Sequence, residues 1–170
     1  MSNESQTHIF TALVSNQPGV LNRMSGMFSR RGYNIESLSV ASTEDERFSR
    51  MTIVVNGDDY VIEQVTKQLH KLYDVKRVAR LDRSACVNRE LLLVKIRCEA
   101  ARRPEIETTV RLYKAKAVDV SPGSVTIELT GESNKIDGFV NVIKDGYEII
   151  ELARTGTTAL ARGDFGINDR

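Results

Sequence analysis

The six residues Asn16-Gln17-Pro18-Gly19-Val20-Leu21 bring together an amide, a stiffened turn and two branched aliphatic side chains. That combination suits the binding of a small amino acid. Pro18 restricts the approach to the turn, and Gly19 lets another group come close to the backbone. A helix starting just after them presents unpaired N–H groups and the positive end of its dipole, which favours a carboxylate. The Asn16 amide both donates and accepts, as an amino acid head group requires. Val20 and Leu21 stand where an aliphatic side chain would be buried, a contribution of about 1.5–3 kcal/mol. Head-group contacts would add about 1–3 kcal/mol, which places affinity in the micromolar-to-millimolar range. Taken on these residues alone, the run also reads as a plain tight turn with Asn16 as a cap.

Little else in the chain offers chemistry. His8 and His70 are lone histidines, the first beside the N-terminus and the second on a helix near Lys71, and both suit surface or capping roles. Cys86 and Cys98 have no close spacing partner and no accompanying histidine cluster, which argues against a disulfide or a zinc site and fits a reducing cytosol. No nucleophile–base arrangement is legible.

The elements that must hold the loop follow from the hydrophobic period. Ile9 to Val14 is a strand-like run. Val20, Leu21, Met24, Met27 and Phe28 then mark one face of a helix, which Gly32 stops. Ile35 to Ser42 alternates as a strand, a charged turn spans Thr43 to Arg47, and Met51 to Val55 is the most strand-like run of all. Gly57-Asp58-Asp59 is a turn and helix N-cap before the stripe Val61, Ile62, Val65, Leu69, Leu72. Val75 to Leu81 closes a β-α-β-β-α-β unit.

The same order recurs. Leu91 to Cys98 is a strand, and Pro104 starts a helix carrying Ile106, Val110 and Tyr113. A hairpin turns at Ser121-Pro122-Gly123, Ser133 is placed to cap a helix that Gly146 ends, and Tyr147 to Leu152 is the closing strand. The predicted fold class is α+β, with two ferredoxin-like βαββαβ modules in tandem. Residues 1–81 form the first, 82–89 a linker, 90–154 the second, and 155–170 a tail whose Gly, Thr and charge predict a chain that is irregular or ordered by a partner. Each module has helices on one sheet face only. Apolar residues on both sides of the strands predict that the other face is covered, across a dimer or by the second module.

Composition narrows the function classes. Hydrophobic residues are 41 % and charged residues 28 %, with a formal net charge of +1, so no global field draws the chain to nucleic acid or an anionic membrane. The polar start, Met1 to Thr7, is not of signal-peptide type, and no apolar run approaches the roughly 20 residues that span a bilayer. A cytoplasmic protein is expected. RNA-binding modules share the element order but stack bases on aromatics of the central strands, and Met51 to Val55 has none.

Asn16-Gln17-Pro18-Gly19-Val20-Leu21 resembles the ligand loop of ACT domains, small modules that bind amino acids at dimer interfaces. The run from Phe28 through Arg31, Gly32, Tyr33, Asn34, Ile35 and Glu36 to Leu38, followed by Ser49-Arg50-Met51-Thr52-Ile53, is similar to the small subunit of acetohydroxyacid synthase (acetolactate synthase). So are Gln68 to Leu72, Arg89 to Ile96, Ala153-Arg154-Thr155-Gly156 and Arg162-Gly163-Asp164, so the resemblance covers nearly the whole chain.

The resemblance implies a regulatory, non-catalytic subunit of branched-chain amino acid biosynthesis. It would bind the catalytic large subunit, raise its activity and confer feedback inhibition by valine, leucine or isoleucine. The effector would sit between the N-terminal ACT domains of a homodimer. By position, Asn16, Gly19, Val20 and Leu21 would line it from one chain and Asn34 and Ile35 from the other; on its own, Asn34 also reads as a turn residue after Gly32. Thiamine diphosphate, Mg²⁺ and FAD would belong to the catalytic partner, a transferase of the transketolase type, with no cofactor in this chain. Gly57-Asp58-Asp59 is a helix cap and not part of a thiamine diphosphate motif. In the second module Glu99-Ala100-Ala101-Arg102-Arg103-Pro104 replaces the Pro-Gly loop, which points away from a ligand and toward dimerisation or contact with the catalytic subunit. A free-standing ACT-type sensor acting on another partner is the alternative.

Overall fold

The computed structural model describes residues 6–167. The first unit runs β1 (Gln6–Ser15), α1 (Val20–Arg30), β2 (Ile35–Ser42), β3 (Phe48–Gly57), α2 (Asp59–Lys71) and β4 (Val75–Leu81). Its antiparallel sheet has the order β2-β3-β1-β4, so β2 and β4 are the edges. Period-two alternation decides the faces. Phe10 and Ala12 lie opposite Ile53 and Met51, and all four are buried beneath Met24 and Phe28 of α1 and Ile62, Val65 and Leu69 of α2. Asp58 caps α2 as the sequence predicts, its carboxylate accepting from the Val61 N–H at 2.8 Å. Past α1 the Gly32 N–H donates to the Ser29 carbonyl at 3.1 Å and the Tyr33 N–H to Phe28 at 3.0 Å, which satisfies the last carbonyls and stops the helix.

The other face of this sheet carries Ile9, Val54 and Leu81, all buried. Within the unit their cover is Cys86, Ala159 and Ala161. The tail expected to be irregular therefore contains a strand, β9 (Thr158–Ala161), which pairs β5 (Cys86–Arg97). Its pattern is inverted in size. Small Ala159 points inward at 2 % exposure while Leu160 is 58 % exposed, so a hydrophobic-period reading finds no strand there. A 3-10 turn at Arg83–Ala85, capped by Asp82, and the first residues of β5 occupy the expected linker.

The chain divides into a unit up to Asn88 that also includes the residues from Thr157 on, and a second unit, Arg89–Gly156. The second unit repeats the topology: β5, then α3 (Arg103–Tyr113), β6 (Lys116–Ser121), β7 (Ser124–Gly131), α4 (Ser133–Gly146) and β8 (Ile149–Arg154), in the order β6-β7-β5-β8. Leu92, Val94 and Ile96 of β5 and Ile127 and Leu129 of β7 pack beneath Ile106 of α3 and Ile136, Phe139 and Ile143 of α4. Ser133 does not cap α4. The N-cap is Glu132, whose side chain makes no capping hydrogen bond, and the Ser133 hydroxyl instead reaches the buried Glu90 carboxylate at 3.3 Å. The fold is thus α+β, two ferredoxin-like units in tandem. Among the described residues no helix is long and apolar enough to cross a membrane.

Candidate effector site

β1 delivers the Asn16–Leu21 loop to one end of the first sheet, where three fixed points hold it. The Ser15 N–H donates to the Asp74 carbonyl at 2.9 Å and the Asn16 N–H to the Arg47 carbonyl at 2.8 Å. The Asn16 Nδ2 donates to the Glu46 carbonyl at 2.9 Å. The β2–β3 turn that supplies those carbonyls is itself braced, because the Arg47 side chain and N–H donate to Asp45 and draw its carboxyl down to about 2. Asn16 is exposed, and with its Nδ2 committed it offers its Oδ1 as an acceptor.

Gly19 begins α1 in the left-handed region, φ +84°, without a side-chain cap, and the first turn of the helix contains no acidic residue. A Cβ at Gly19 would lie 2.9 Å from Nη1 of Arg23. That guanidinium is fixed from its other side: Nε donates to Asp74 Oδ2 at 2.6 Å and Nη2 to Oδ1 at 3.0 Å. The hydrogen bonds from Arg23 hold the Asp74 carboxyl below the usual carboxylate range. The uncapped helix end and Nη1 together give the loop a positive local field. Sequence reasoning missed Arg23 and Asp74. The available signal was a cation in the first helical turn, where the dipole disfavours one unless a carboxylate answers it.

This pair predicts a pH dependence. A depressed carboxyl contributes stability that is complete above the unfolded-state pKa of about 3.9 and is lost as pH falls through the folded value. The urea midpoints of the wild type and Arg23→Gln are expected to differ at pH 7 and to converge below about pH 4. A gap independent of pH would mean that Arg23 acts by packing alone.

The two aliphatic residues of the loop part company. Val20 is 4 % exposed and sits in the core beneath α1, so its side chain is not available to a ligand, while Leu21 is 48 % exposed. Asn34 is exposed, and Ile35 is half-buried against the same core. These last two do not meet the loop within one chain. Ser15 lies opposite Phe48 of β3 whereas Ile35 lies opposite Val55, a separation of roughly 23 Å along the strand.

The corresponding loop of the second unit is filled by its own side chain. Arg102 donates to the Gly146 carbonyl at 2.8 Å, pairs with Glu105, and lies over the Tyr147 ring at 4.2 Å. His8, expected at the surface or at a cap, is buried. Its Nε2 lies 3.3 Å from the Gly57 carbonyl, and burial, with help from Arg80, lowers its pKa. Its backbone position explains this, since it shares the helix-side face with Phe10 and faces Val55. Among the described residues no three His, Cys, Asp or Glu side chains are grouped to hold a metal ion.

Comparison with known proteins covers both units. Residues 10–77 match the profile of the AHAS small subunit-like ACT domain, and residues 89–163 match that of the small subunit of acetolactate synthase. A probable acetolactate synthase small subunit of Methanothermobacter thermautotrophicus is 48 % identical over 161 residues, covering 94 % of this chain and 95 % of the relative. The acetolactate synthase isozyme 3 small subunit of Escherichia coli is 47 % identical, covering 92 % of this chain and 96 % of its own length. Among solved structures, the acetolactate synthase small subunit of Thermotoga maritima superposes with a TM-score of 0.87 at 37 % identity, covering 94 % of this chain and 99 % of that one. With both units matched, and the fold of 94 % of the chain reproduced in a relative, the chain belongs to the acetolactate synthase small subunits and carries an ACT domain as its first unit.

Proposed function

We propose that this chain activates a thiamine-diphosphate-dependent catalytic subunit and makes it sensitive to feedback inhibition by valine or another branched-chain amino acid. The observation that carries the reading is the uncapped, glycine-initiated start of α1 beside the fixed Arg23 guanidinium. In this reading the effector carboxylate lies against the Gly19 and Val20 backbone, its ammonium donates to Asn16 Oδ1, and its side chain packs on Leu21. Asn34 and Ile35 complete the site from the second chain of a homodimer, since their own chain holds them at the far end of the sheet. Catalysis, with thiamine diphosphate, Mg²⁺ and FAD, belongs to the large subunit.

The test is acetolactate formation by the catalytic subunit with and without this chain, across a valine titration. Activation that valine reverses is the expected result. Effector and partner binding should also be reciprocally coupled by about 1–3 kcal/mol, so that adding the catalytic subunit changes valine affinity by the same factor. Activation without any response to branched-chain amino acids would remove the effector reading. No effect on an active catalytic subunit would favour a sensor acting on another partner.

A further inference from the structure

The chain leaves the second unit through a single glycine whose neighbours on both sides are clamped. The Thr155 N–H donates to the Leu91 carbonyl at 3.1 Å, and its Oγ1 accepts from the Leu91 N–H at 3.0 Å. Two residues on, the buried Thr157 is held on β2 from both sides of its backbone: its N–H donates to Ser37 Oγ at 2.8 Å and its carbonyl accepts from Ser39 Oγ at 2.7 Å. Gly156 between them has φ +75°, a conformation that a side chain makes unfavourable. Beyond Thr157 the segment crosses the sheet face opposite the helices. The Ala159 carbonyl accepts from Arg50 of β3 at 3.1 Å, and the Ile167 carbonyl from Arg77 of β4 at 3.2 Å. The segment is thereby fastened to both edge strands and to one strand between them.

The first of those fastenings stands close to the effector residues. Ile35 opens β2, and only a register shift separates it from Ser37. Within the sheet β2 pairs with β3 alone, so with β4 it is one of the two strands that can shift most freely, and its register shift before Ser37 gives it a place to do so. An effector held in part by Asn34 and Ile35 would bias the position of β2. Ser37 and Ser39 would pass that bias to Thr157, and Gly156 would pass it to the end of β8.

We propose that residues 157–167 are a coupling strap: the Ser37–Thr157–Ser39 clamp reports the state of β2 to the second unit through Gly156. The proposal rests on the effector reading above and adds the route by which occupancy is read. A ligand shifts a conformational equilibrium only by its differential interaction with the two states, and the clamp is the physical element through which the position of β2 would be read.

Two variants test it in the reconstituted holoenzyme. Ser37→Ala with Ser39→Ala removes both hydroxyl contacts. Insertion of two glycines between Gly156 and Thr157 keeps every contact and slackens only the link. Valine binding is read by calorimetry, and acetolactate formation is read with and without valine. Both variants are expected to bind valine within about threefold of the wild type while the half-inhibiting concentration rises by about tenfold or more. Wild-type inhibition by valine in the insertion variant overturns the strap and leaves the effector site standing. Loss of valine binding in both variants also overturns it, because the segment would then build the site and not read it. A wild-type chain that binds no branched-chain amino acid removes the effector reading, and the strap falls with it.

Discussion

Valine added to the holoenzyme carrying Gly19→Asp is expected to leave acetolactate formation unchanged at concentrations that inhibit the wild type. The substitution places a carboxylate at the start of α1, where the effector's own carboxylate is proposed to lie. Lost head-group contacts and the repulsion of like charges together amount to roughly 3 kcal/mol, or about a 100-fold loss of affinity. The fold should survive. Asp tolerates the left-handed conformation better than most side chains, and the Cβ would meet a single side-chain group, Nη1 of Arg23 at 2.9 Å, which has to shift by a few tenths of an ångström against its pairing with Asp74. The new carboxylate would also pair with Nη1 and cancel the positive field that draws the ligand in. Gly19→Asn separates charge from bulk: being neutral, it should weaken the response by about tenfold. Binding of the catalytic subunit, followed by co-elution, is the control. Undiminished inhibition of the Asp variant would place the effector elsewhere.

The sequence carries the fold through its periods, and it fails where the period is hidden. Phe10, Ala12, Met51 and Ile53 alternate with the sheet, and Val65 and Leu69 repeat with the helix, so six elements of each unit are legible in the residue pattern. β9 is not, because small inward residues and the outward Leu160 reverse the expected contrast. Leu21 shows the converse error. It falls on the apolar stripe of α1 by spacing yet stands at the rim of the core, 48 % exposed. Of the proposed site, Asn16 and Gly19 can be named from residue type alone, as an amide and a cradle for close approach. Arg23 and Asp74 are not, since their pairing joins positions 51 apart and depends on where α2 ends. Local chemistry can be read along a chain, but a charge pair closed by topology cannot. The same holds for Ser37 and Ser39, whose hydroxyls have ordinary alternation in β2 and acquire meaning only when Thr157 arrives on them.

Arg154→Ala should destabilise the second unit more than any other single side-chain truncation on its polar surface. Glu90 of β5 is 4 % exposed, and its carboxylate accepts from Arg154 Nε at 2.6 Å and Nη2 at 2.9 Å. Arg154 Nη1 donates to Asp137 of α4 at 2.7 Å, so one guanidinium joins two strands to a helix. Truncation leaves Glu90 buried without its counter-charge, a loss of about 3 kcal/mol once the partial exposure of Arg154 is allowed for. In a unit of this size that is a fall in melting temperature of roughly 10 °C or more. Asp137 is exposed, so Asp137→Ala should cost under about 1 kcal/mol by the same measurement. The double variant Glu90→Leu with Arg154→Met removes both charges together and should regain most of the loss, because the large term is the unpaired buried carboxylate and not the attraction itself. If the double variant were as unstable as Arg154→Ala, the network would be acting through geometry, holding the end of β8 against α4. The link through Gly156 would then depend on that geometry as well, because Arg154 is the last residue of β8 before it.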